Sequence, residues 1–293
     1  MRVAVLRCER LPRFVTWEIP EVEALFDDDR RLIAALQRRG VDAVPVAWSA
    51  DVDWSGFDLA VVRSTWDYVD RLPEFLAALE RIERSGCRVR NPLDAIRWNS
   101  DKRYLDDLAT RQVPVVPTVR AAAADADAAV RAVEAARWTE LVVKPAVGVG
   151  GGGVTRVPAT RLAAHLRGTE GDSLVQPFVP DVVGEGEFSY VVIGGQVSHV
   201  LRKRPATGDF RAHGIYGGTV EAHEPAAADL RAVRELAARL PFDLDYARFD
   251  LVRREGRLAV LELELIEPML YLASAPGAEE RLAAAVTARP AGP

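Results

Sequence analysis

The sequence predicts an α/β protein in which a doubly wound parallel sheet at the N-terminus is followed by a two-lobed α+β unit. Three observations predict it. Strand and helix signals alternate through the first hundred residues or so, which implies parallel strands joined by helical crossovers. Five glycines fall within the six residues Gly148–Gly153, between two strand-like segments. Farther along, Val260–Ile266 alternates apolar and acidic residues with the period of a strand.

The elements follow in order. Val3–Leu6 reads as a first strand. Asp27–Arg39 reads as an amphipathic helix with Leu32, Ala35 and Leu36 on one face and Gly40 as its C-terminal stop. Ala43–Val46 and Leu59–Val62 read as buried strands and Pro73–Arg84 as a helix. After Asn91-Pro92 a helix is predicted around Ser100–Thr110, then a two-proline connector, Gln112–Thr118. Ala121–Arg137 is an alanine-rich helix. Strands are expected at Leu141–Lys144, Val154–Val157, Leu174–Phe178, Phe188–Ile193, Val197–Arg202, Ala247–Val252 and Leu258–Ile266, with a helix near Ala227–Arg239 and a frayed tail from Ala288. The expected division is 1–97, 98–173 and 174–293.

Composition narrows the function. Hydrophobic residues make up 49% and charged residues 28%, and the net charge is −5, so no footprint for a polyanion exists and nucleic acid is not expected as a partner. No apolar run reaches the ~18 residues of a membrane span. The N-terminus lacks a signal peptide's apolar stretch and cleavage site, so a cytoplasmic protein with no membrane partner is expected. Cys8 and Cys87 read as buried thiols.

Of 38 basic residues only Lys102, Lys144 and Lys203 are lysines. In a chain that otherwise uses arginine, a lysine is expected where a compact ammonium is needed to grip a phosphate as a point charge. Lys144 precedes the glycine run. That run formally fits G-x-G-x-x-G, yet a dinucleotide fingerprint needs a helix to open inside it, and no Gly-Lys-Ser/Thr follows for a Walker loop. A strand–glycine loop–strand unit is instead a flap over phosphates.

Glu262 and Glu264 lie on one face of their strand, about 7 Å apart. By strict alternation Val260 and Ile266 share that face, while Leu261, Leu263 and Leu265 take the other. Asp250, on the preceding strand, joins the two glutamates only across a hairpin loop of odd length. A three-residue loop, Arg254-Glu255-Gly256, achieves this, and a two-residue loop puts Asp250 on the wrong face. Three such carboxylates suggest Mg²⁺ held partly by water and substrate oxygens. For substrate, the loop after Leu59–Val62 offers Arg63, Ser64, Thr65, Trp66, Asp67 and Tyr68, because doubly wound sheets bind ligands at the carboxyl ends of their strands. Arg63 suits a carboxylate and Asp67 an amino group; the alternative is a structural Arg–Asp pair with Trp66 packed at the domain boundary. His199 and His213 are candidate bases, with a structural role favoured for His199.

In this order the motifs resemble those of the ATP-grasp ligases, from about Asn99 to Met269. The matching segments are WNSDKRYL, LVVKPAVGVGGGG, Gln176-Pro-Phe-Val179, GEFSYVVIGG and the acidic strand. RKRPATGDFRAHGIYGG is similar to a segment of bacterial glutathione synthetases. The resemblance implies an ATP-grasp fold and an ADP-forming carboxylate–amine ligase working through an acyl phosphate. It implies ATP held by Lys102, Lys144, Gly150, Gly151, Gly152, Gln176, Phe178, Val179 and Glu187. Two Mg²⁺ ions, with Mn²⁺ as an alternative, would sit on Asp250, Glu262 and Glu264, although Glu264 stands where the family usually has asparagine. Lys203 and Arg211 would be catalytic, and Gly217 and Gly218 would join Arg63, Ser64, Thr65 and Asp67 at the substrate.

A nearer resemblance, carried by VVRSTWDY, NPLDAIRWNSDKRYL, FR…YGG and LELELIEP, is to the O-ureidoserine cyclo-ligases that form cycloserine. It implies a small amino-acid-like substrate of secondary metabolism and leaves linear and cyclic products open, as it does a homodimer. The segment Leu11–Ala24 is extra and would shape a different pocket. An ATP-dependent kinase on the same fold and a non-catalytic nucleotide-binding regulator are the competing readings.

Overall fold

Four parallel strands in the order β2-β1-β3-β4 make the N-terminal sheet of the computed structural model, which describes residues 1–11, 22–122, 124–212 and 214–288. Most of Leu11–Ala24, His213 and the tail beyond Ala288 lie outside the described residues. The strands are β1 (Arg2–Arg7), β2 (Asp42–Ala47), β3 (Leu59–Val62) and β4 (Arg88–Arg90), with crossover helices α1 (Asp27–Arg38) and α2 (Leu72–Arg84). Alternate residues of β1 and β3 point to opposite faces. Val3, Val5, Leu59 and Val61 pack against Leu32, Ala35 and Leu36 of α1, while Ala4, Leu6, Ala60 and Val62 pack with Phe75, Leu79 and Ile82 of α2. β2 departs from expectation: only Ala43 is buried in it, because an edge strand has a neighbour on one side alone.

Two short helices, α3 (Leu93–Asn99) and α4 (Tyr104–Thr110), lead out of this sheet. Lys102 sits in the turn between them, not inside a helix as predicted. A four-stranded antiparallel sheet follows in the order β5-β8-β6-β7, from β5 (Val119–Ala121), β6 (Glu140–Pro145), β7 (Thr155–Pro158) and β8 (Ser173–Pro177). Helices α5 (Ala126–Ala135) and α6 (Leu162–Arg167) cover one face of it. The expected helix from Ala121 starts late. Asp125 accepts from the Ala128 amide at 3.0 Å and caps α5 there, leaving Ala121 to β5. β8 pairs with β5 as far as Val175 in register and with β6 as far as Pro177.

Past a short helix, α7 (Asp181–Gly184), comes the second antiparallel sheet, ordered β11-β10-β9-β12-β13. Its strands are β9 (Glu187–Ile193), β10 (Gln196–Arg204), β11 (Thr219–Ala222), β12 (Tyr246–Arg254) and β13 (Arg257–Glu264), with helix α8 (Ala227–Ala238) between β11 and β12. The final helix, α9 (Ala278–Thr287), was not predicted. It returns to the N-terminal sheet, where Leu282 and Val286 join the core around α1.

The outer edge of β13 is fastened by side chains from the linker. Asn99 donates to the Leu263 carbonyl and accepts from the Leu265 amide, both at 2.8 Å, and the Tyr104 hydroxyl accepts from the Leu263 amide at 2.9 Å. These bonds satisfy backbone groups that an end strand otherwise leaves to water. No helix among the described residues is long and apolar enough to cross a membrane.

The β12–β13 hairpin corrects one expectation and rescues its consequence. Arg254 pairs with Arg257, so the loop is the two residues Glu255-Gly256, with φ of 52° and 75°. Both positive φ values suit a two-residue hairpin turn. By parity alone Asp250 would face away from the glutamates. A β-bulge intervenes: Leu251 pairs with Val260 but Asp250 pairs with Glu262, so Leu261 is the extra residue on β13. Asp250 and Glu262 therefore face the same way. Leu261 turns to that face too, whereas Val260 joins Leu263 and Leu265 in the core, against the strict alternation expected.

Candidate active site

A cavity of 140 Å³ lies between the two antiparallel sheets. Its apolar end is walled by Val142, Val154, Phe178, Val179 and Val182. Gln176 projects there from β8, 1% exposed. Its amide donates to Thr118 Oγ1 at 2.9 Å, and its Oε1 is buried with no partner. An orphaned acceptor is costly unless a ligand donates to it, and the exocyclic amine of adenine is such a donor.

At the other end stand the lysines. Lys102 Nζ donates to the Gly148 carbonyl and pairs with Glu262 at 3.1 Å. Lys144 Nζ donates to the Leu261 carbonyl at 3.2 Å, at the residue the bulge inserts into β13. Burial pushes the Lys144 ammonium below its usual range. Between them lies the glycine flap. Gly151 and Gly153 hold φ of 74° and 72°, and a Cβ there would come within 3.0 Å of the Tyr216 ring and 2.9 Å of Pro145. Only glycine fits both the backbone and the space.

The acidic strand completes the wall. Asp250, 4% exposed, accepts from Ser189 Oγ at 2.5 Å, Lys203 Nζ at 3.3 Å and Arg248 at 2.8 Å. Arg248 also pairs with Glu264, its cross-strand neighbour, and donates to the Met269 carbonyl at 3.0 Å. Lys203 bridges Asp250 and Glu187, the latter at 3.1 Å. Burial opposes the Lys203 charge and so does Arg248, but Asp250 and Glu187 outweigh them and hold it firmly protonated. Burial raises the Glu264 carboxyl above its usual range against the pull of Arg248.

Among the described residues no group of three or more His, Cys, Asp or Glu side chains is gathered to hold a metal ion. Asp250, Glu262 and Glu264 line one cavity, but they are not the converging triad expected. Each carboxylate has turned to a built-in cation: Lys203 and Arg248, Lys102, and Arg248 respectively. Like charges on one face repel, and these cations relieve the repulsion internally. Hard oxygens still suit Mg²⁺, which takes one or two carboxylates and fills its other positions with phosphate oxygens and water. Glu262 and Glu264 fit that demand. Asp250 would first have to exchange its three donors.

Lys203, Arg211, Glu187, Gly150 and Gly152 line the same cavity. Arg211 stacks on Tyr216 at 3.5 Å and pairs with Asp209 at 2.8 Å, which holds the Asp209 carboxyl down at about 2. The expected substrate residues are placed elsewhere. Arg63 is 2% exposed and donates to the Pro268 carbonyl at 2.6 Å. Ser64 donates to Asp29, and Asp67 accepts from the Trp48 indole at 2.6 Å. Thr65 is wholly buried, and neither Gly217 nor Gly218 lines the cavity. Arg63 Nε and Nη1 and Thr65 Oγ1 are buried without a hydrogen-bond partner. His199 is structural as expected, bonded to the Leu270 carbonyl at 2.8 Å. Arg248 was missed, although its place two residues before Asp250 on the same strand face could have shown it.

This fold and this cavity are those of an enzyme that joins carbon to nitrogen with ATP, and the chain belongs to the ATP-grasp ligase family. Residues 107–244 match the ATP-grasp domain of prokaryotic glutathione synthetase, and residues 3–91 match the N-terminal domain of D-cycloserine synthetase DcsG. The chain is 38% identical to the cycloserine biosynthesis protein DcsG of Streptomyces lavendulae over 280 residues, covering 88% of this chain and 92% of that one. A crystal structure of D-cycloserine synthetase DcsG superposes with a TM-score of 0.84 at 30% identity, covering 98% of each chain. D-alanine–D-alanine ligase of Bacillus anthracis, solved with ATP, shares the fold at a TM-score of 0.71 and 17% identity, over 98% of this chain and 96% of that one. Enzymes of the family use ATP and Mg²⁺.

Proposed function

We propose that this ligase activates the carboxylate of a small amino-acid-like substrate as an acyl phosphate and passes the acyl group to a nitrogen nucleophile, on a second molecule or within the same one. One observation carries the reading: a single cavity gathers an orphaned acceptor and apolar walls at one end with two lysines, a glycine flap and hard oxygen donors at the other. Phosphoryl transfer needs alignment and charge neutralisation above all, and these residues supply both.

Gln176 would accept from the adenine amine, and Glu187 would face the ribose. Lys102 and Lys144 would bind phosphate oxygens, Lys102 exchanging its hold on Gly148 and Glu262 for them. Mg²⁺ held by Glu262 and Glu264 would neutralise charge on the transferring phosphate. Lys203 and Arg248 face the same space and would stabilise the oxyanion as nitrogen attacks the acyl carbon. Arg211 would leave Asp209 to meet the phosphate. The flap, seated against Tyr216, would keep water from the activated acyl group.

A coupled assay with Mg-ATP and pools of amino acids tests this. ADP and free phosphate in equal amounts, with a new amide or ring, are expected. A stable phosphorylated product without free phosphate would make the enzyme a kinase.

A further inference from the structure

After β13 the chain runs back toward α1, and side chains from distant parts of the sequence hold its backbone residue by residue. Arg63 donates to the Pro268 carbonyl at 2.6 Å, Arg248 to the Met269 carbonyl at 3.0 Å and His199 to the Leu270 carbonyl at 2.8 Å. The Asp28 carboxylate, from α1, accepts from the amides of Leu270, Tyr271 and Leu272 at 2.6, 3.0 and 2.8 Å. Bonds to ionised groups are the strong ones, so this stretch loses the freedom of an ordinary loop.

Tyr271 is held there with φ of 49° and ψ of 45°, a left-handed conformation that bulky side chains avoid. The other non-glycine residues with positive φ have local reasons for it. Gln112 and Arg137 follow helix ends, and Glu255 lies in the hairpin turn. Tyr271 neither ends a helix nor joins two strands. Such a conformation persists only where the surroundings enforce it, which the four pinning side chains do.

The result is the placement of one side chain. Leu270 and Leu272 are wholly buried, whereas Tyr271 keeps a partly open face. The Lys203 ammonium lies 5.9 Å from the centre of its ring, and Arg248 is near enough to feel its phenol. Both cations line the main cavity. Burial keeps the phenol protonated, and no group among the described residues bonds its hydroxyl. Lys203 and Arg248 are already paired with Asp250, Glu187 and Glu264, so they attract an anion less than two bare charges would. A neutral donor beside them adds hold on an anionic oxygen without bringing another charge to compensate.

We propose that Tyr271 contacts the substrate, its hydroxyl donating a hydrogen bond to the carboxylate that is activated, and that Asp28 is the residue that positions it. This rests on the ligase reading of the adjoining cavity.

The test is calorimetric titration of the full chain saturated with Mg–AMPPNP, using DL-serine and DL-serinamide as probes. Mg–AMPPNP should bind wild type, Tyr271→Phe and Asp28→Asn within about twofold of one another. Wild type should prefer serine to serinamide. Tyr271→Phe should weaken serine about tenfold and leave serinamide unchanged, because only the carboxylate loses a charge-assisted bond. Asp28→Asn should weaken serine by a similar factor. The double variant should lose no more than about twofold beyond either single one, since both act through one hydroxyl. Serine bound by Tyr271→Phe as tightly as by wild type, or serinamide weakened to the same degree, would overturn the proposal. So would a wild type that binds nucleotide but does not prefer serine. Losses that multiply in the double variant would overturn the part given to Asp28. Failure of wild type to bind Mg–AMPPNP would instead overturn the ligase reading and this inference with it.

Discussion

Glu262→Gln should lower kcat/KM for ADP formation by about 10²–10³-fold while leaving the fold intact. Glu262 is the carboxylate with the simplest commitments: Lys102 lies 3.1 Å away, Asp250 sits across the strand pair, and the bulge at Leu261 turns it into the cavity. Burial opposes its charge, but Lys102 and Lys144 overcome this and keep it ionised below the usual carboxylate range. Glutamine keeps the shape and removes the charge. Both lysines then lose their counter-charge, and Mg²⁺ loses a hard anionic ligand. The Mg²⁺ concentration for half-maximal rate should rise together with the fall in kcat. A variant within about threefold of wild type at all Mg²⁺ concentrations would remove Glu262 from the metal site.

Arg248→Leu should cost about 3–5 kcal/mol of stability near neutral pH, read by urea denaturation. Arg248 is 3% exposed and compensates two carboxylates, Asp250 and Glu264, from the middle of the sheet. Removing one partner strands the other charges in a medium that cannot solvate them. The pH dependence identifies the cause. Burial alone would raise the Asp250 carboxyl, but Arg248 and Lys203 more than reverse it and hold it far below 3.8. A depressed carboxyl lends stability above its unfolded value of 3.8, and that stability is lost as pH falls through the folded value. The gap between wild type and Arg248→Leu should therefore be full only above about pH 7, where Glu264 is also ionised, and should shrink as the medium becomes more acidic, the Asp250 share last. A gap that stays constant into acid would mean that Arg248 acts by packing alone.

The parallel sheet was legible because strands buried on both faces are written as unbroken apolar runs, as in Leu59–Val62. The glycine loop between β6 and β7 was legible because five glycines exceed what a turn needs. Less legible was whatever depends on partners distant in sequence. The bulge at Leu261 lies in the pairing of β12 with β13, where Lys144 also meets the Leu261 carbonyl; the turn residues Glu255-Gly256 carry no sign of it. Helix α9 is alanine-rich and finds its place only against α1. Arg248 looked like one arginine among thirty-five until the register set it between Asp250 and Glu264. The rule that ligands bind at strand ends pointed to the segment after β3, with Tyr68 among its side chains. Arg63, Ser64 and Asp67 turn inward, and Tyr68 lines a cleft of 20 Å³ beside the cavity.

The proposed site puts ATP between the two antiparallel sheets, with its phosphates between Lys102, Lys144 and the glycine loop. A crystal structure with Mg–ADP should show adenine at Gln176–Val179, with its amine on Gln176 Oε1, and phosphate oxygens within hydrogen-bond reach of both Lys102 Nζ and Lys144 Nζ. Phosphates bound away from both lysines would contradict it.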